Sequence, residues 1–151
     1  VDIQQVLEAT IMMLHNQIQK FTDVCTLDIP DGLPAAWGNS QQLEQVFINV
    51  LLNALQALPE RTKGVHVSAG FDVDNGLLWV TMRDEGRGIP ERDLGRLTEP
   101  FFTTRPDAGG TGLGLSISRS IIEKHGGSMG FESVLGCGTT VTIRIPAIHQ
   151  V

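Results

Sequence analysis

Tyrosine is absent from this 151-residue chain, and six Phe and two Trp bring the aromatic residues to only 5%. Against that scarcity the adjacent pair Phe101 and Phe102, just before a polar segment with Pro106 and several glycines, needs a reason. Cysteine is nearly absent too. Cys25 and Cys137 lie far apart, match no metal-ligand spacing and make no disulfide framework, so both read as free thiols in a reducing compartment. Positive charge is in deficit, with eleven Lys and Arg against seventeen Asp and Glu for a formal net charge of -6. No basic cluster is long enough to track a nucleic-acid backbone, so neither DNA nor RNA is an expected partner. An anionic ligand must then be held locally, by backbone N–H groups, a metal ion or a few placed cations. Long apolar runs are missing as well: residues 46–58, the most hydrophobic stretch, are interrupted by Asn49, Asn53 and Gln56 and fall short of the ~18 to 20 residues of a membrane span. The start at Val1 has no basic n-region, apolar h-region or small-residue cleavage site, and the chain is expected to be a fragment of something longer.

What is present is the composition of an ordinary soluble globular protein, 41% hydrophobic and 19% charged. A chain of this length is expected to form a single domain over 1–151 that buries about two thirds of its unfolded surface. Ile3, Val6, Leu7, Ile11, Leu14, Ile18 and Phe21 recur at helical spacing behind Asp2 and Gln5, a cap and its return partner, and predict a helix over 3–20. A strand is expected over 24–29, turns over 30–34, and a second helix from an Asn39 cap to Leu58, stopped by Pro59. Residues 65–73 and 77–84 are β-rich runs joined by Asp74, Asn75 and Gly76, a strong hairpin signal. A further helix is expected over 115–125, closed by Gly126 and Gly127, then a hairpin of 129–134 and 139–145. Strands and helices mix without regular βαβ alternation, repeats or linkers. The expected fold class is therefore α+β, a two-layer sandwich with helices covering one face of a mixed or largely antiparallel sheet.

Four stretches carry residue types that chemistry can use. In the second helix Gln45, Asn49, Asn53 and Gln56 form a polar stripe. A solvated helix face is the plain alternative, yet Asn is a poor helix former and such faces more often carry Lys or Glu. Two Asn one turn apart can offer amide oxygens to a hard cation such as Mg²⁺ and amide N–H groups to phosphate. Residues 83–90, "RDEGRGIP", read either as a turn or as a carboxylate, Asp84, accepting a hydrogen bond from an amine such as adenine's, with glycines letting the ring approach the backbone. A charge-assisted bond of that kind contributes ~1.5–3 kcal/mol. Gly109, Gly110, Gly112 and Gly114 run into a helix, whose N-terminal N–H groups suit phosphate, although the spacing is neither that of a Rossmann loop nor that of a P-loop. Between these stretches, residues 103–109 read as a lid over a site, with Phe101 and Phe102 either anchoring its base or serving simply as core.

In this order the four stretches resemble the catalytic and ATP-binding domain of two-component sensor histidine kinases, in the GHKL superfamily. The matches are "NVLLNA" at 49–54 as the N box, "DEGRGI" at 84–89 as the G1 box, "EPFFTT" at 99–104 as the F box and "GTGLGLSI" at 110–117 as the G2 box. The closing "GCGTTVTIRIP" at 136–146 looks like that family's last strand, so the resemblance covers essentially the whole chain. It implies a Bergerat-type α/β sandwich, with ATP and Mg²⁺ as ligands. It also implies Asn53 as the Mg²⁺ ligand with Asn49 nearby, Asp84 on the adenine amine, and Gly86, Gly88 and Ile89 lining the base pocket. Gly110, Thr111, Gly112, Leu113, Gly114 and Leu115 would wrap the phosphates, and Ala57, Thr103, Thr104 and Thr139 complete the implied nucleotide contacts. Residues 103–109 become the lid over ATP, tethered by the Phe pair. The implied partners are a dimerisation and histidine-phosphotransfer helical hairpin and a response-regulator receiver domain, with a cytoplasmic location and no membrane contact by this domain.

Two departures qualify the match. Gln56 stands where many members carry Lys or Arg, which leaves Arg87 or Arg105 as alternative cations or as surface charges. None of His15, His66, His125 and His149 is followed by an acidic residue as in an H box, so the chain is expected to be the ATP-binding half, showing little autophosphorylation alone. Gyrase-type, chaperone and mismatch-repair ATPases of related fold carry Glu where Asn49 stands, and an amide cannot serve as general base for water. Anti-sigma-factor serine kinases, the second choice, also tend to carry Glu there and lack "FFTT". A nucleotide-binding module without catalysis is the third.

Overall fold

A computed structural model describes residues 1–97, 99 and 114–148. Two helices open the chain, α1 (Ile3–Met13) and α2 (His15–Phe21), where the periodic pattern predicts one over 3–20. Asp2 caps α1 as expected, its carboxylate accepting the Gln5 N–H at 3.1 Å. The break is a single residue, Leu14. Its N–H still donates to the Thr10 carbonyl at 3.0 Å, while buried Thr10 turns its hydroxyl back onto the Val6 carbonyl at 2.8 Å, a back-bond of the kind that bends helices.

After β1 (Cys25–Asp28), Asn39 caps α3 (Ser40–Gln56), its side chain accepting the Gln42 N–H at 3.0 Å, and Ala57 closes the helix. The hairpin of β2 (Val65–Asp72) and β3 (Leu77–Asp84) runs in register from Asp72 opposite Leu77 to Val65 opposite Asp84. Its turn takes residues 73–76, one more than the sequence signal suggests. Asp72 accepts both the backbone N–H and the side-chain amide of Asn75, and Gly76 adopts φ +66°. A one-turn helix α4 (Glu91–Leu94), which the pattern does not predict, precedes α5 (Gly114–Lys124) and the hairpin of β4 (Ser128–Val134) and β5 (Gly138–Pro146).

The strands form a sheet in the order β1-β2-β3-β5-β4, with β1 parallel to β2 and the other neighbours antiparallel. The fold is α+β with a mixed sheet, as expected. Alternate residues of each strand make one apolar layer: Val67, Met82 and Val141 are cross-strand neighbours, as are Ala69, Val80 and Ile143. All are buried with Leu43, Phe47, Val50 and Leu51 of α3, Ile3 and Leu7 of α1 and Ile122 of α5. Each large side chain so placed contributes ~1.5–3 kcal/mol. Continued to the end of β3, the inward row 78, 80, 82 reaches Asp84, and the inward row of β5 begins at Thr139, its neighbour. A carboxylate thus enters the edge of an apolar layer.

No helix among the described residues is long and apolar enough to cross a membrane. The expectations for Phe101, Phe102, the lid at 103–109, Thr103, Thr104, Arg105 and Gly110, Thr111, Gly112 and Leu113 lie outside the described residues.

Candidate functional site

Asp84 is buried, and the backbone is arranged around its carboxylate. Oδ1 accepts the Gly86 N–H at 2.9 Å and the Thr139 N–H at 3.3 Å. Both donors lie where the chain leaves or enters the sheet. A Cβ on Gly86 would lie 2.7 Å from both the Ala57 carbonyl oxygen and Asp84 Oδ1, so only glycine lets the loop pass between the end of α3 and the carboxylate. The Arg87 N–H donates to that same Ala57 carbonyl at 3.2 Å, fastening the loop to the C-terminus of α3. Ala57, Asp84, Gly86 and Thr139, spread over more than eighty positions, therefore meet at one end of the sheet.

The next turn of the loop is held by the β4–β5 hairpin. Gly88 takes φ +72°, and a Cβ there would strike the Val134 carbonyl oxygen. The Ile89 N–H donates to Ser133 Oγ at 2.7 Å, and the Gly136 N–H to the Arg87 carbonyl at 2.7 Å. Ser133 also donates to the Gly138 carbonyl at 2.9 Å. With its single proton committed there, its 2.8 Å contact with Thr139 Oγ1 is one in which Thr139 donates. Ser133 is thus a hub joining Ile89 and Thr139, and sequence reasoning missed it. Its only signal was a hydroxyl at an inner strand position, one too common to single out.

On the helical side, α3 and α5 meet through Asn49, whose Nδ2 donates to the Gly114 carbonyl at 3.4 Å and to Ser118 Oγ at 3.3 Å. Ser118, fully buried within the apolar stripe of α5, is a second residue missed, although a polar residue in such a stripe is a readable sign. With its N–H₂ turned to α5, Asn49 has its amide oxygen to offer elsewhere. Asn53, one turn on, is half-buried, as are Gln56 and Leu115, while Arg87 is exposed. Leu115 packs against the core from the first turn of α5.

The arrangement suits a nucleotide better than a resident metal. Among the described residues no group of three or more His, Cys, Asp or Glu could hold a cation. A hard cation therefore fits only as one carried by phosphates and completed by one or two amide oxygens, the donor type that Asn49 and Asn53 supply. For the base the fit is closer. A buried carboxylate stands beside a glycine cradle that a Cβ would fill, and the loop is pinned by α3 on one side and β4–β5 on the other.

Residues 38–149 match the protein family described as Histidine kinase-, DNA gyrase B-, and HSP90-like ATPase. Sporulation kinase E of Bacillus subtilis is 38% identical over 144 residues, 95% of this chain and 19% of that protein. The C4-dicarboxylate transport sensor protein DctB of Rhizobium meliloti is 36% identical over 144 residues, 95% of this chain and 22% of its own length. The chain therefore spans about a fifth of the curated relatives it matches. Among solved structures, the nucleotide-free catalytic domain of the histidine kinase ThkA superposes with a TM-score of 0.83 at 25% identity, covering 97% of this chain and 95% of that one. Full-length ShkA, solved in complex with AMPPNP, gives a TM-score of 0.86 at 24% identity over 100% of this chain and 31% of that one, a likeness of fold.

Proposed function

Since the chain belongs to the histidine kinase-, DNA gyrase B- and HSP90-like ATPase family, we propose that it binds Mg²⁺–ATP and presents the γ-phosphoryl group to a histidine on a separate dimerisation hairpin. The observation that carries this is Asp84: a buried carboxylate at an inward sheet position, its Oδ1 fixed by two backbone N–H groups, is a preset acceptor for the adenine amine. Gly86, Gly88, Ile89, Ala57 and Thr139 shape the base pocket around it. Asn53, with Asn49, supplies amide oxygen to the cation. Gly110, Thr111, Gly112, Leu113, Gly114 and Leu115 carry the phosphates, and Thr103 and Thr104 open a lid at 103–109 that Phe101 and Phe102 tether. When bound, Mg²⁺ supplies charge neutralisation on the phosphates.

This chain's own contribution is positioning. It orients the base and directs the triphosphate toward the N-terminus of α5. Asn49 cannot serve as general base for water, so steady hydrolysis is disfavoured and the acceptor histidine lies outside these residues. The full protein would hand the phosphoryl group on to a response-regulator receiver domain, in the cytoplasm, in keeping with the two free thiols. The same substitution of amide for carboxylate at Asn49 disfavours an anti-sigma-factor serine kinase.

Calorimetric titration with ADP and with a non-hydrolysable ATP analogue, each with and without Mg²⁺, tests the proposal. Mg²⁺-dependent binding of the analogue is expected, followed by phosphohistidine formation only when a His-bearing helical hairpin is added. A folded sample that binds neither nucleotide overturns it, as does stoichiometric phosphohistidine on this chain alone.

A further inference from the structure

Asp84 and Glu85 are consecutive and lie on opposite sides of the sheet end, one turned to the base pocket and the other away from it. The side turned away is as closely built as the pocket. Glu85 Oε1 lies 2.7 Å from His66 Nε2 and accepts the Gly64 N–H at 3.3 Å, while the Glu85 N–H donates to the Gly64 carbonyl at 3.0 Å. Behind it, His66 Nδ1 meets the Thr26 hydroxyl at 2.7 Å. Residue 85 is therefore tied to residue 64 through both backbone and side chain, and through His66 to β1. The side chains of His66 and Glu85 are 25% and 34% exposed, so the pair is partly shielded from solvent. The hydrogen bond from His66 holds the Glu85 carboxyl below the usual range, so Glu85 is an anion at neutral pH and Nε2 carries the proton.

From this geometry we infer that Thr26, His66 and Glu85 form a brace that positions the base-recognition loop from behind. It rests on the nucleotide-site reading of Asp84 and deepens it. Peptide geometry links the two faces: with the backbone of residue 85 clamped to Gly64, Asp84 is held inward and the Gly86 N–H is aimed at Asp84 Oδ1. Without the Glu85 side chain, the loop keeps on this side a single backbone hydrogen bond to Gly64, and among the described residues its other ties are on the pocket side, to Ala57 and to the β4–β5 turn. Glu85 is a positioning residue, and it acts on the base rather than on the phosphates. The brace also ties β1, and through it the preceding helices, to the loop that reads the base.

The test is titration of the wild-type chain and of Glu85→Ala, Glu85→Gln and His66→Ala with ADP and with a non-hydrolysable ATP analogue, with and without Mg²⁺. All are run well below each variant's melting temperature, with folding checked by circular dichroism. Glu85→Ala should lose about tenfold in affinity, by the same factor for both nucleotides and in either metal condition, because the base site is common to all four. Glu85→Gln keeps an acceptor oxygen for His66 and Gly64 and should restore near wild-type affinity, and His66→Ala should fall between them. Undiminished binding by folded Glu85→Ala, or failure of Gln to rescue, overturns the brace while leaving the nucleotide site standing. A loss confined to the ATP analogue with Mg²⁺ also overturns it, since that locates the effect at the phosphates. A wild-type chain that binds neither nucleotide overturns both.

Discussion

The carboxylate of Asp84 sits at the margin of an apolar layer, so its substitutions separate fold from recognition. Asp84→Asn keeps an oxygen for the Gly86 and Thr139 N–H groups, and its stability should lie within about 1 kcal/mol of wild type. Its second group becomes a donor facing a donor, so nucleotide affinity should be largely lost; unchanged affinity with normal stability removes Asp84 from the site. Asp84→Ala leaves both N–H groups without their acceptor, at about 1–3 kcal/mol each, and should show a clear fall in the urea midpoint. Gly88 offers a second separation. Its φ of +72° costs a side-chain-bearing residue about 1–2 kcal/mol, and the added methyl would strike the Val134 carbonyl. Gly88→Ala should therefore lower both stability and affinity, whereas a variant as stable as wild type would mean that the loop has slack at this point.

Among the elements, α3 has the best-secured start. Asn39 caps it through its side chain, and its backbone N–H donates to His125 Nε2 at 3.1 Å. Because Nε2 accepts, Nδ1 carries the proton and donates to the Ile121 carbonyl at 2.8 Å, so one imidazole joins the C-terminus of α5 to the N-terminus of α3. The ring lies over Gly38, where a Cβ would strike it. Asn39→Ala should cost about 1 kcal/mol in chemical denaturation and leave nucleotide affinity unchanged, because the cap is at the far end of the helix from Asn53 and Ala57. A matching loss of affinity would show that the two ends of α3 are coupled. This helix was legible in the sequence because cap, period and the stop at Pro59 all agree. The break at Leu14 was not, because Leu14 and Ile18 are both buried and the apolar spacing continues straight through it. The site shows the same division. Asp84 was legible because it falls on the inward alternation of β3 beside glycines. The contacts around this candidate site, Ile89 with Ser133 and Asn49 with Ser118, join residues 44 and 69 positions apart, and no local pattern encodes a partner at that range.

For the molecule as a whole, ionisable groups near the sheet shape the dependence of stability on pH. Side-chain and backbone hydrogen bonds from Asn75 lower the Asp72 carboxyl, and the hydrogen bond from His66 lowers that of Glu85. A depressed folded value means that the unfolded chain binds protons first on acidification. The stability contributed by these two groups is then fully present above their unfolded values of about 3.9 and 4.3, and is lost as the pH falls through the folded values below them. Cys25 works in the opposite direction. Burial raises its thiol pKa, so its contribution is full below the unfolded value of about 8.5 and is lost as the pH rises through the folded value above it. Urea midpoints measured from pH 3 to 10 should therefore form a plateau over about pH 5–8 with a fall on each side. Glu85→Gln should flatten part of the acid limb and leave the basic limb unchanged. Cys25→Val should do the reverse, and a basic limb that survives this substitution would assign that loss to a group other than Cys25. Alkylation supplies an independent check: at pH 8 exposed Cys137 should react first, with half-buried Cys25 following slowly, at a rate that rises with pH and with added urea.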